Sequence, residues 1–385
     1  MRIIQLAALT EKPRNVLAYS FGNPFRNPGL TFRLELGRSR LAGNAGDVAI
    51  YQSFRHLFET EFPGGKVLPM NCRKVFTRQD VAEINRADVL FVCGGGLFLY
   101  DTFPNLASDW QWGISEELLE QIQIPIVVYS VGFNKFRGQP DFNDRFNKTI
   151  TKLLEKSIFF GLRNTGSCNA VKRYVPERLH DRIKLNYCPT LLFSEAFDLP
   201  RNLRDRDAVG FVMAGDRLKN RHKDLDKYIT NMRAFVEYLK GSRRKTILID
   251  HSGDSWISKY IAFDSFIQLR SNDSRHIYET YSKVDTVVGD RGHAQMIPFA
   301  CGCRILTPIS HDKLKWFLED MGLAEFGIEE SDEDLAEKLI EKFERLQSID
   351  WAAIQQEKMR MIHETNTGNM TLIKERLAAR AKRSH

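Results

Sequence analysis

The chain has 385 residues, which favours two domains over one, and 43% of them are hydrophobic, enough for large cores. Its formal net charge of +7 and pI near 9.0 fit partners that carry phosphate, from nucleic acid or anionic lipid to small phosphorylated substrates. No dense Lys/Arg stripe interleaved with aromatic residues is present, which argues against nucleic acid as a partner.

Short apolar runs alternate with longer amphipathic segments, a rhythm typical of βαβ units and a parallel sheet. In the first half this pattern predicts a helix that opens at Asn44 and runs to about Phe62. An irregular stretch rich in Gly, Pro and Arg precedes it, at 21–40. The predicted strands of this half are 15–20, 88–93, 126–129 and 157–162.

The segment 198–207 is polar and contains Pro200, so it predicts a linker between two α/β units. The predicted elements of the second unit are strands at 208–213, 246–250, 285–289 and 304–307, helices at 224–239 and 332–346, and an amphipathic run from about Trp351. We therefore expect an α/β fold with two Rossmann-like domains, 1–200 and 201–348, facing across a cleft. A helical segment, 349–385, can pack back on the first domain.

Six cysteines are scattered through the chain, mostly in apolar runs. Cys301 and Cys303 form a CxC pair without the second pair that a zinc site needs, so we expect buried, reduced thiols and no metal. The N-terminus lacks a signal-peptide pattern, and no apolar run approaches the roughly 20 residues of a transmembrane helix. The expectation is a cytoplasmic protein that can contact the inner face of the membrane peripherally.

Glycine-rich segments near predicted element ends are the first candidate ligand contacts. Asn44, Gly46 and Asp47 precede or open a helix, where exposed amides favour an anion, although Asn44 or Asp47 could equally serve only as a cap. Gly94, Gly95 and Gly96 follow a predicted strand, where they could admit a ligand or simply make a tight turn. Without a GxGxxG pattern or a P-loop lysine, these glycines are a weak nucleotide signal.

Polar residues after the later strands add a second group of candidates. Arg163 leaves a strand just before Asn164 and could hold a carboxylate or phosphate through two hydrogen bonds, or form a salt bridge at a domain edge. His251 and Asp254 follow another strand, where a structural turn is at least as good an interpretation. A catalytic triad built from these neighbours is geometrically doubtful, because no nucleophile elbow is present.

The most informative segment is Asp290-Arg291-Gly292-His293, directly behind the strand predicted at 285–289. Ligand sites of open parallel sheets lie at such strand ends. If the segment is extended, Arg291 and His293 point the same way and can face one ligand. A histidine suits acid–base catalysis, with a structural histidine as the alternative. Lys313, further along, adds a second cation, so the pattern indicates an anionic substrate beside a proton-transfer group.

These segments, in this order, resemble the polysaccharide pyruvyl transferases over roughly residues 40–325. The matching blocks begin at Asn44, Ala87, Pro125, Gly161, Asp290 and Ala300, and are followed by Lys313 and Met321-Gly322-Leu323. Two positions depart from the family pattern. Cys188-Pro189 stands where family members often have Asp-Pro, and Gly292 is smaller than the residue usual between the arginine and the histidine.

The resemblance implies a GT-B-like fold, phosphoenolpyruvate as donor, and a sugar of a surface polysaccharide or of its lipid-linked precursor as acceptor. The implied product is a cyclic pyruvate ketal, with release of phosphate and no metal or cofactor. A donor with a carboxylate and a phosphate needs several fixed cations, for which Arg163, Arg291 and Lys313 are the candidates, and we hypothesise that His293 is the general acid that protonates its methylene carbon. Two alternatives stay open: a GT-B glycosyltransferase that uses a nucleotide sugar, and a non-enzymatic protein that binds anionic glycan or nucleic acid.

Overall fold

The computed structural model describes residues 1–8, 44–199, 205–269 and 273–383. Within them the chain forms two parallel sheets of six strands each. The first, in the spatial order β2-β1-β3-β4-β5-β6, consists of β1 Arg2–Ala7, β2 Lys66–Asn71, β3 Val89–Phe98, β4 Ile126–Phe133, β5 Ser157–Leu162 and β6 Ile183–Leu185. The second, in the order β12-β11-β10-β7-β8-β9, consists of β7 Asp205–Val212, β8 Lys245–Asp250, β9 Ser265–Gln268, β10 Val284–Gly289, β11 Arg304–Ile309 and β12 Gly327–Glu329.

Several of the helices begin at a residue whose side chain accepts a hydrogen bond from the first turn, as Thr77 does from Asp80. The helices of the first half are α1 Ala45–Glu61, α2 Arg78–Ile84, α3 Glu116–Glu120, α4 Asp144–Lys156 and α5 Thr165–Lys172. The later helices are α6 Leu218–Arg221, α7 Leu225–Gly241, α8 Ser274–Ser282, α9 His293–Ala300, α10 Asp312–Asp320, α11 Leu335–Ser348 and α12 Trp351–Arg383. Short 3₁₀ turns lie at Glu177–Arg182, Pro189–Leu191, Phe193–Ala196, Asp254–Lys259 and Ala324–Phe326.

Each sheet reverses its strand order beside its first strand. In the first sheet β1 lies between β2 and β3, and in the second β7 lies between β8 and β10. In open parallel sheets such a reversal opens a crevice at the carboxyl ends of the strands. The residues that follow β2, β5, β7, β10 and β11 therefore meet in one region between the sheets.

Helix α1 joins the two halves. Ala45 and Ala49 belong to an apolar cluster of the second sheet, while Phe58 packs edge-on against Phe91 of β3 at a ring-centroid distance of 4.8 Å. The Ala45 amide also donates to the carbonyl oxygen of His251, at 3.1 Å. The amino end of α1 is thereby fixed between the sheets.

The first half departs from the sequence-based prediction in two ways. Strands β1 and β2 were not predicted; β2 contains Pro69 and, apart from the buried Met70, is exposed or half-exposed, so its alternation is weak. Strands β3 and β4 continue through glycines that were predicted to follow them. The missing side chain at Gly94 lets β4 lie close to β3, because a Cβ atom there would be 3.0 Å from the Ser130 carbonyl oxygen. The strand predicted at 15–20 and the irregular stretch at 21–40 lie outside the described residues.

The second half follows the prediction more closely. The four predicted strands correspond to β7, β8, β10 and β11, and the predicted helices to α7, α11 and α12. Of the predicted linker, 200–204 lie outside the described residues. Its last three residues, 205–207, form the exposed beginning of β7 instead of a loop. The exact division into domains near residue 200 stays a prediction.

Helix α12 begins beside the second sheet and returns to the first. Asn366 Nδ2 donates to the Tyr187 carbonyl oxygen at 3.0 Å, and Asn369 Nδ2 donates to the Leu185 carbonyl oxygen at 2.8 Å. Further along, Lys374 pairs with Glu61 of α1 at 2.6 Å. None of the helices in the described ranges combines the length and apolar character needed to cross a bilayer.

Candidate active site

A cavity of about 280 Å³ lies between the carboxyl edges of the two sheets. Its lining cations are Arg73, Arg163, Arg217, Arg221, Arg291 and Lys313, and its lining carboxylates are Asp47 and Asp216. The excess of positive charge favours an anionic ligand. The volume is close to the lower end, about 300 Å³, of the range usual for small-molecule sites.

A larger open groove of about 830 Å³ lies at the opposite edge of the first sheet, between β5 and α12. Its arginines hydrogen-bond to backbone carbonyl oxygens, Arg182 to that of Ser157 at 2.8 Å and Arg376 to that of Ile158. None of the residues that were singled out from the sequence line this groove. The cleft between the sheets is therefore the candidate site.

Arg163 contributes a guanidinium with unused donors. It directly follows β5, is 3% exposed, and its Nε and Nη2 atoms have no hydrogen-bond partner in the described part of the chain. The side chain crosses β4 at Gly132, where a Cβ atom would lie 2.2 Å from Nε. Burial lowers the pKa of Arg163, yet a guanidinium stays charged at neutral pH. A carboxylate or phosphate would supply the missing acceptors.

Two more cations line the cavity without forming an ion pair to another described residue. Lys313 lies in the first turn of α10, directly beyond β11. Burial lowers its pKa well below the ordinary value, and the nearby charges of Arg163 and Arg221 lower it further. Arg73 follows β2, and its Nε donates to Gln111 Oε1 at 2.7 Å. With Arg163, these side chains place three cations around one cavity.

Arg291, in contrast, is held by two carboxylates. Its Nε lies 2.9 Å from Asp254 Oδ1, and its Nη1 lies 2.8 Å from Asp216 Oδ1. Asp216 also contacts Arg217 and Arg221, at 3.1 and 3.3 Å. Burial alone would raise the pKa of Asp216, but Arg221 and Arg291 outweigh it and hold that pKa well below its usual value. Removing Arg291 would leave the buried Asp254 carboxylate without its ion-pair partner, while Asp216 would keep Arg217 and Arg221.

His293 opens α9, so the extended conformation that was considered for this segment is not the one observed. Gly292 already has helical backbone angles, φ −57° and ψ −40°, because the chain turns from β10 into the helix within the segment 290–292. Arg291 and His293 nevertheless both line the cavity. The His293 ring lies against α1: a Cβ atom on Gly46 would come within 2.8 Å of Nδ1. Nε2 is 3.9 Å from Cys188 Sγ.

The surroundings of His293 favour a neutral imidazole in the free protein. Burial lowers the pKa of His293 well below its ordinary value, and the charges of Arg163 and Lys313 lower it further. A second histidine, His251, also lines the cavity, but its Nε2 is hydrogen-bonded to the Tyr281 hydroxyl group. Burial and the charge of Arg291 lower the pKa of His251 to about 3. His293 is therefore the histidine better placed to exchange a proton.

The segment Asn44–Asp47 caps a helix and also lines the cleft. Asn44 Oδ1 accepts a hydrogen bond from the Asp47 amide at 3.0 Å, and both residues line the cavity. Burial raises the pKa of the Asp47 carboxyl, although Arg73 and Arg291 oppose the effect. The two interpretations offered by the sequence are thus compatible.

The remaining candidates border the cavity less directly. Gly94, Gly95 and Gly96 line a recess of about 30 Å³ beside it, and Gly96 lines the main cavity as well. Asn164 is fully buried and does not line the cavity. Its Oδ1 accepts from the Ser167 amide at 2.7 Å, which makes it the cap of α5.

Sequence analysis missed several residues of the cleft. Asp216 and Arg217 lie in the loop after β7, which ends at Val212, so the rule that polar residues after strands are site candidates could have found them. Arg73 follows β2, which itself was missed. Gln111 and Arg221 lie outside strand ends, and only the tertiary structure brings them to the cavity.

Solved structures of other proteins share the fold of this chain. The chain is similar to a UDP-GlcNAc 2-epimerase from Neisseria meningitidis bound to UDP-GlcNAc, with a TM-score of 0.54, 11% identity, and 98% of this chain and 100% of that chain covered. It is also similar to the S. aureus MnaA–UDP structure, with a TM-score of 0.52, 7% identity, and 92% and 90% covered. At such identities the likeness concerns the fold alone, and it confirms the prediction of a GT-B-like α/β architecture.

A comparison at the level of sequence identifies the family. No curated protein matches the chain in a sequence search. The family described as polysaccharide pyruvyl transferase matches residues 44–313, a range that contains each of the candidate residues named from the sequence. The chain therefore belongs to the polysaccharide pyruvyl transferase family, as its motifs predicted.

Proposed function

We propose that the protein transfers a pyruvyl group from phosphoenolpyruvate to two hydroxyl groups of one sugar, forming a cyclic ketal and releasing phosphate. The acceptor is a sugar of a surface polysaccharide or of its lipid-linked precursor. The observation that carries the proposal is the set of three cations, Arg73, Arg163 and Lys313, that line one cavity without an ion pair to any other described residue.

Phosphoenolpyruvate matches these three cations in its charge and in the arrangement of its hydrogen-bond acceptors. Phosphoenolpyruvate has a carboxylate and, on the other side of the same small carbon frame, a phosphate with a charge of about −1.5 to −2 at neutral pH. Arg163 has two unused nitrogen donors, a geometry suited to a planar carboxylate or a phosphate. In this proposal Lys313 and Arg73 neutralise the remaining charge of the donor. Arg291 instead stabilises the wall of the cavity through its ion pairs with Asp216 and Asp254.

His293 is the proposed general acid. The methylene carbon of the donor becomes a methyl group, so it must receive a proton as the first sugar oxygen bonds to the neighbouring carbon. His293 opens α9 beside the three cations. In the free protein it is neutral, and an anionic donor offsets the cations that hold its pKa down. Binding of the donor would thereby favour the protonated form of His293, which is the form that can act as the acid.

The test is turnover of phosphoenolpyruvate with a panel of methyl hexopyranosides, followed by release of inorganic phosphate and by mass spectrometry of the glycoside. The His293→Ala variant should lose roughly 10²- to 10⁴-fold in turnover, the usual contribution of a positioned acid. Its melting temperature should remain close to that of the wild type. The exposed His363, on α12, provides a matched control as His363→Ala. Near-normal turnover of the His293 variant would remove this residue from the mechanism.

A further inference from the structure

Formation of the ketal needs a base as well as an acid, and the following inference rests on the function proposed above. Each of two sugar hydroxyls loses its proton. One proton is balanced by the proton that converts the methylene group to methyl, and the other leaves with the phosphate as its bond to carbon breaks. A group in the cleft must take the first hydroxyl proton while the first carbon–oxygen bond forms.

Apart from arginines, the titratable residues that line the cavity in the described part of the chain are Asp47, Asp216, His251, His293 and Lys313. Asp216 is unsuited, because Arg217, Arg221 and Arg291 lie within 3.3 Å of its carboxylate. A carboxylate so held keeps its charge and its hydrogen bonds.

Two of the other groups have different tasks or partners. His251 uses Nε2 for its hydrogen bond to the Tyr281 hydroxyl and is 3% exposed; its Nδ1 has no partner among the described residues, but burial and the charge of Arg291 lower the pKa of the ring to about 3, which makes it a weak base. Lys313 lies near Arg163 and Arg221, where the bound donor requires its positive charge. His293 is the proposed acid. This leaves Asp47.

The position of Asp47 suits a base that works beside His293. Asp47 lies in the first turn of α1, with its backbone fixed by the Asn44 side chain. The ring of His293 rests on Gly46, the residue before it. Asp47 lines both the main cavity and the recess beside Gly96, so its carboxylate can reach an acceptor held at their junction.

We propose that Asp47 is the general base that accepts the proton of the attacking sugar hydroxyl. The oxygen–hydrogen bond breaks toward Asp47 as the sugar oxygen bonds to the donor carbon and His293 protonates the methylene carbon. The second hydroxyl then bonds to the same carbon as the carbon–oxygen bond to phosphate breaks, and its proton leaves on the phosphate. Transfer of the proton from Asp47 to His293 restores the site. Burial, which raises the pKa of Asp47, makes the carboxylate a better base.

The variant Asp47→Asn tests this assignment because the amide keeps the shape of the side chain and cannot accept the proton. We expect its melting temperature and its stabilisation by phosphoenolpyruvate to persist, while phosphate release with the methyl hexopyranoside panel falls roughly 10²- to 10⁴-fold. The acid limb of the kcat profile against pH should disappear. Asp47→Glu, which keeps a base, should recover part of the turnover. Asp144→Asn, in the exposed first turn of α4, is the matched control and should retain full turnover.

Three outcomes would overturn the assignment. Undiminished turnover in Asp47→Asn would exclude Asp47 as the general base, while the proposed pyruvyl transfer would still stand. Loss of stabilisation by phosphoenolpyruvate in that variant would make Asp47 a donor-binding residue instead. A wild-type protein that neither responds to phosphoenolpyruvate nor forms a ketal would refute the proposed function, and this inference with it.

Discussion

The Arg163 guanidinium occupies space that is open because Gly132 has no side chain. A Cβ atom at this position would lie 2.2 Å from Nε and 2.5 Å from Cζ. The atoms it would strike are the far end of a flexible side chain, so Arg163 can move aside and the strand can persist. A change at a glycine that touches no ligand should therefore disable the anion site without unfolding the protein.

We predict that Gly132→Ala binds phosphoenolpyruvate much more weakly than the wild type, because the guanidinium is displaced from the cleft. Isothermal titration calorimetry measures the change, and circular dichroism verifies the fold. Gly241→Ala is the control, since no atom lies within 4 Å of the Cβ position there. An unaltered affinity in Gly132→Ala would mean that Arg163 does not hold the donor.

At the scale of elements, helix α12 fastens the second half to the first by side chains in its middle. Asn366 is 4% exposed; it donates to the Tyr187 carbonyl oxygen and accepts from Asn186 Nδ2 at 3.1 Å. Two residues further on, Gly368 lies on an exposed part of the same helix with no atom near its Cβ position. Substitution by alanine should therefore change the free energy of unfolding in opposite directions at the two positions.

We predict that Asn366→Ala lowers the free energy of unfolding by about 1–3 kcal/mol, since it leaves buried polar groups without partners. Gly368→Ala should raise it by about 0.5–1 kcal/mol, because glycine is costly inside a helix. Urea denaturation of the full chain measures both. Equal effects of the two substitutions would show that the middle of α12 is not anchored through Asn366.

Elements with strong local patterns were predictable, and those fixed by tertiary contacts were not. Strands such as β5 and β10 are fully buried or nearly so and matched the prediction closely. Strand β2, with Pro69 and a half-exposed face, carried too little alternation to be recognised. Its omission also concealed Arg73, the residue that follows it in the cleft.

The candidate site shows the same division. Arg163, Arg291 and His293 were found because each lies just beyond the carboxyl end of a strand, and Lys313 was singled out as a second cation further along the chain. The structure brings all four to one cavity. Their partners could not be read from the sequence. The contacts of Arg291 with Asp216 and Asp254 join residues far apart in the chain, and they distinguish a clamped arginine from a cation that is available to a ligand.

At the scale of the whole molecule, the cleft is closed by contacts between the two halves. Arg217 Nε donates to Asp101 Oδ2 at 3.0 Å, and Arg137 Nε pairs with Asp312 Oδ1 at 2.7 Å. These ion pairs keep the cations that follow the strands of both sheets around the same cavity. Burial lowers the pKa values of His293 and Lys313, and the like charges gathered around the cleft lower them further.

We predict that binding of phosphoenolpyruvate is coupled to uptake of protons. The pKa of His293 is depressed in the free protein by burial and by the charges of Arg163 and Lys313, so the imidazole holds fewer protons than it would in water. A bound anion raises this pKa, which means that affinity should decrease as the pH rises. Calorimetric titration in buffers of different ionisation enthalpy counts the protons. Zero uptake, or release of protons, would contradict the proposed arrangement.

The most direct test of a donor site at Arg163 is thermal stabilisation of the protein by phosphoenolpyruvate, measured beside UDP-GlcNAc and UDP. A ligand at 100 times its Kd stabilises the folded state by about 2.7 kcal/mol. We predict a rise in Tm with phosphoenolpyruvate alone, which is lost in Arg163→Met and kept in the control Arg178→Met, whose side chain is 64% exposed. A rise with the uridine nucleotides instead, or a response to phosphoenolpyruvate that survives Arg163→Met, would contradict it.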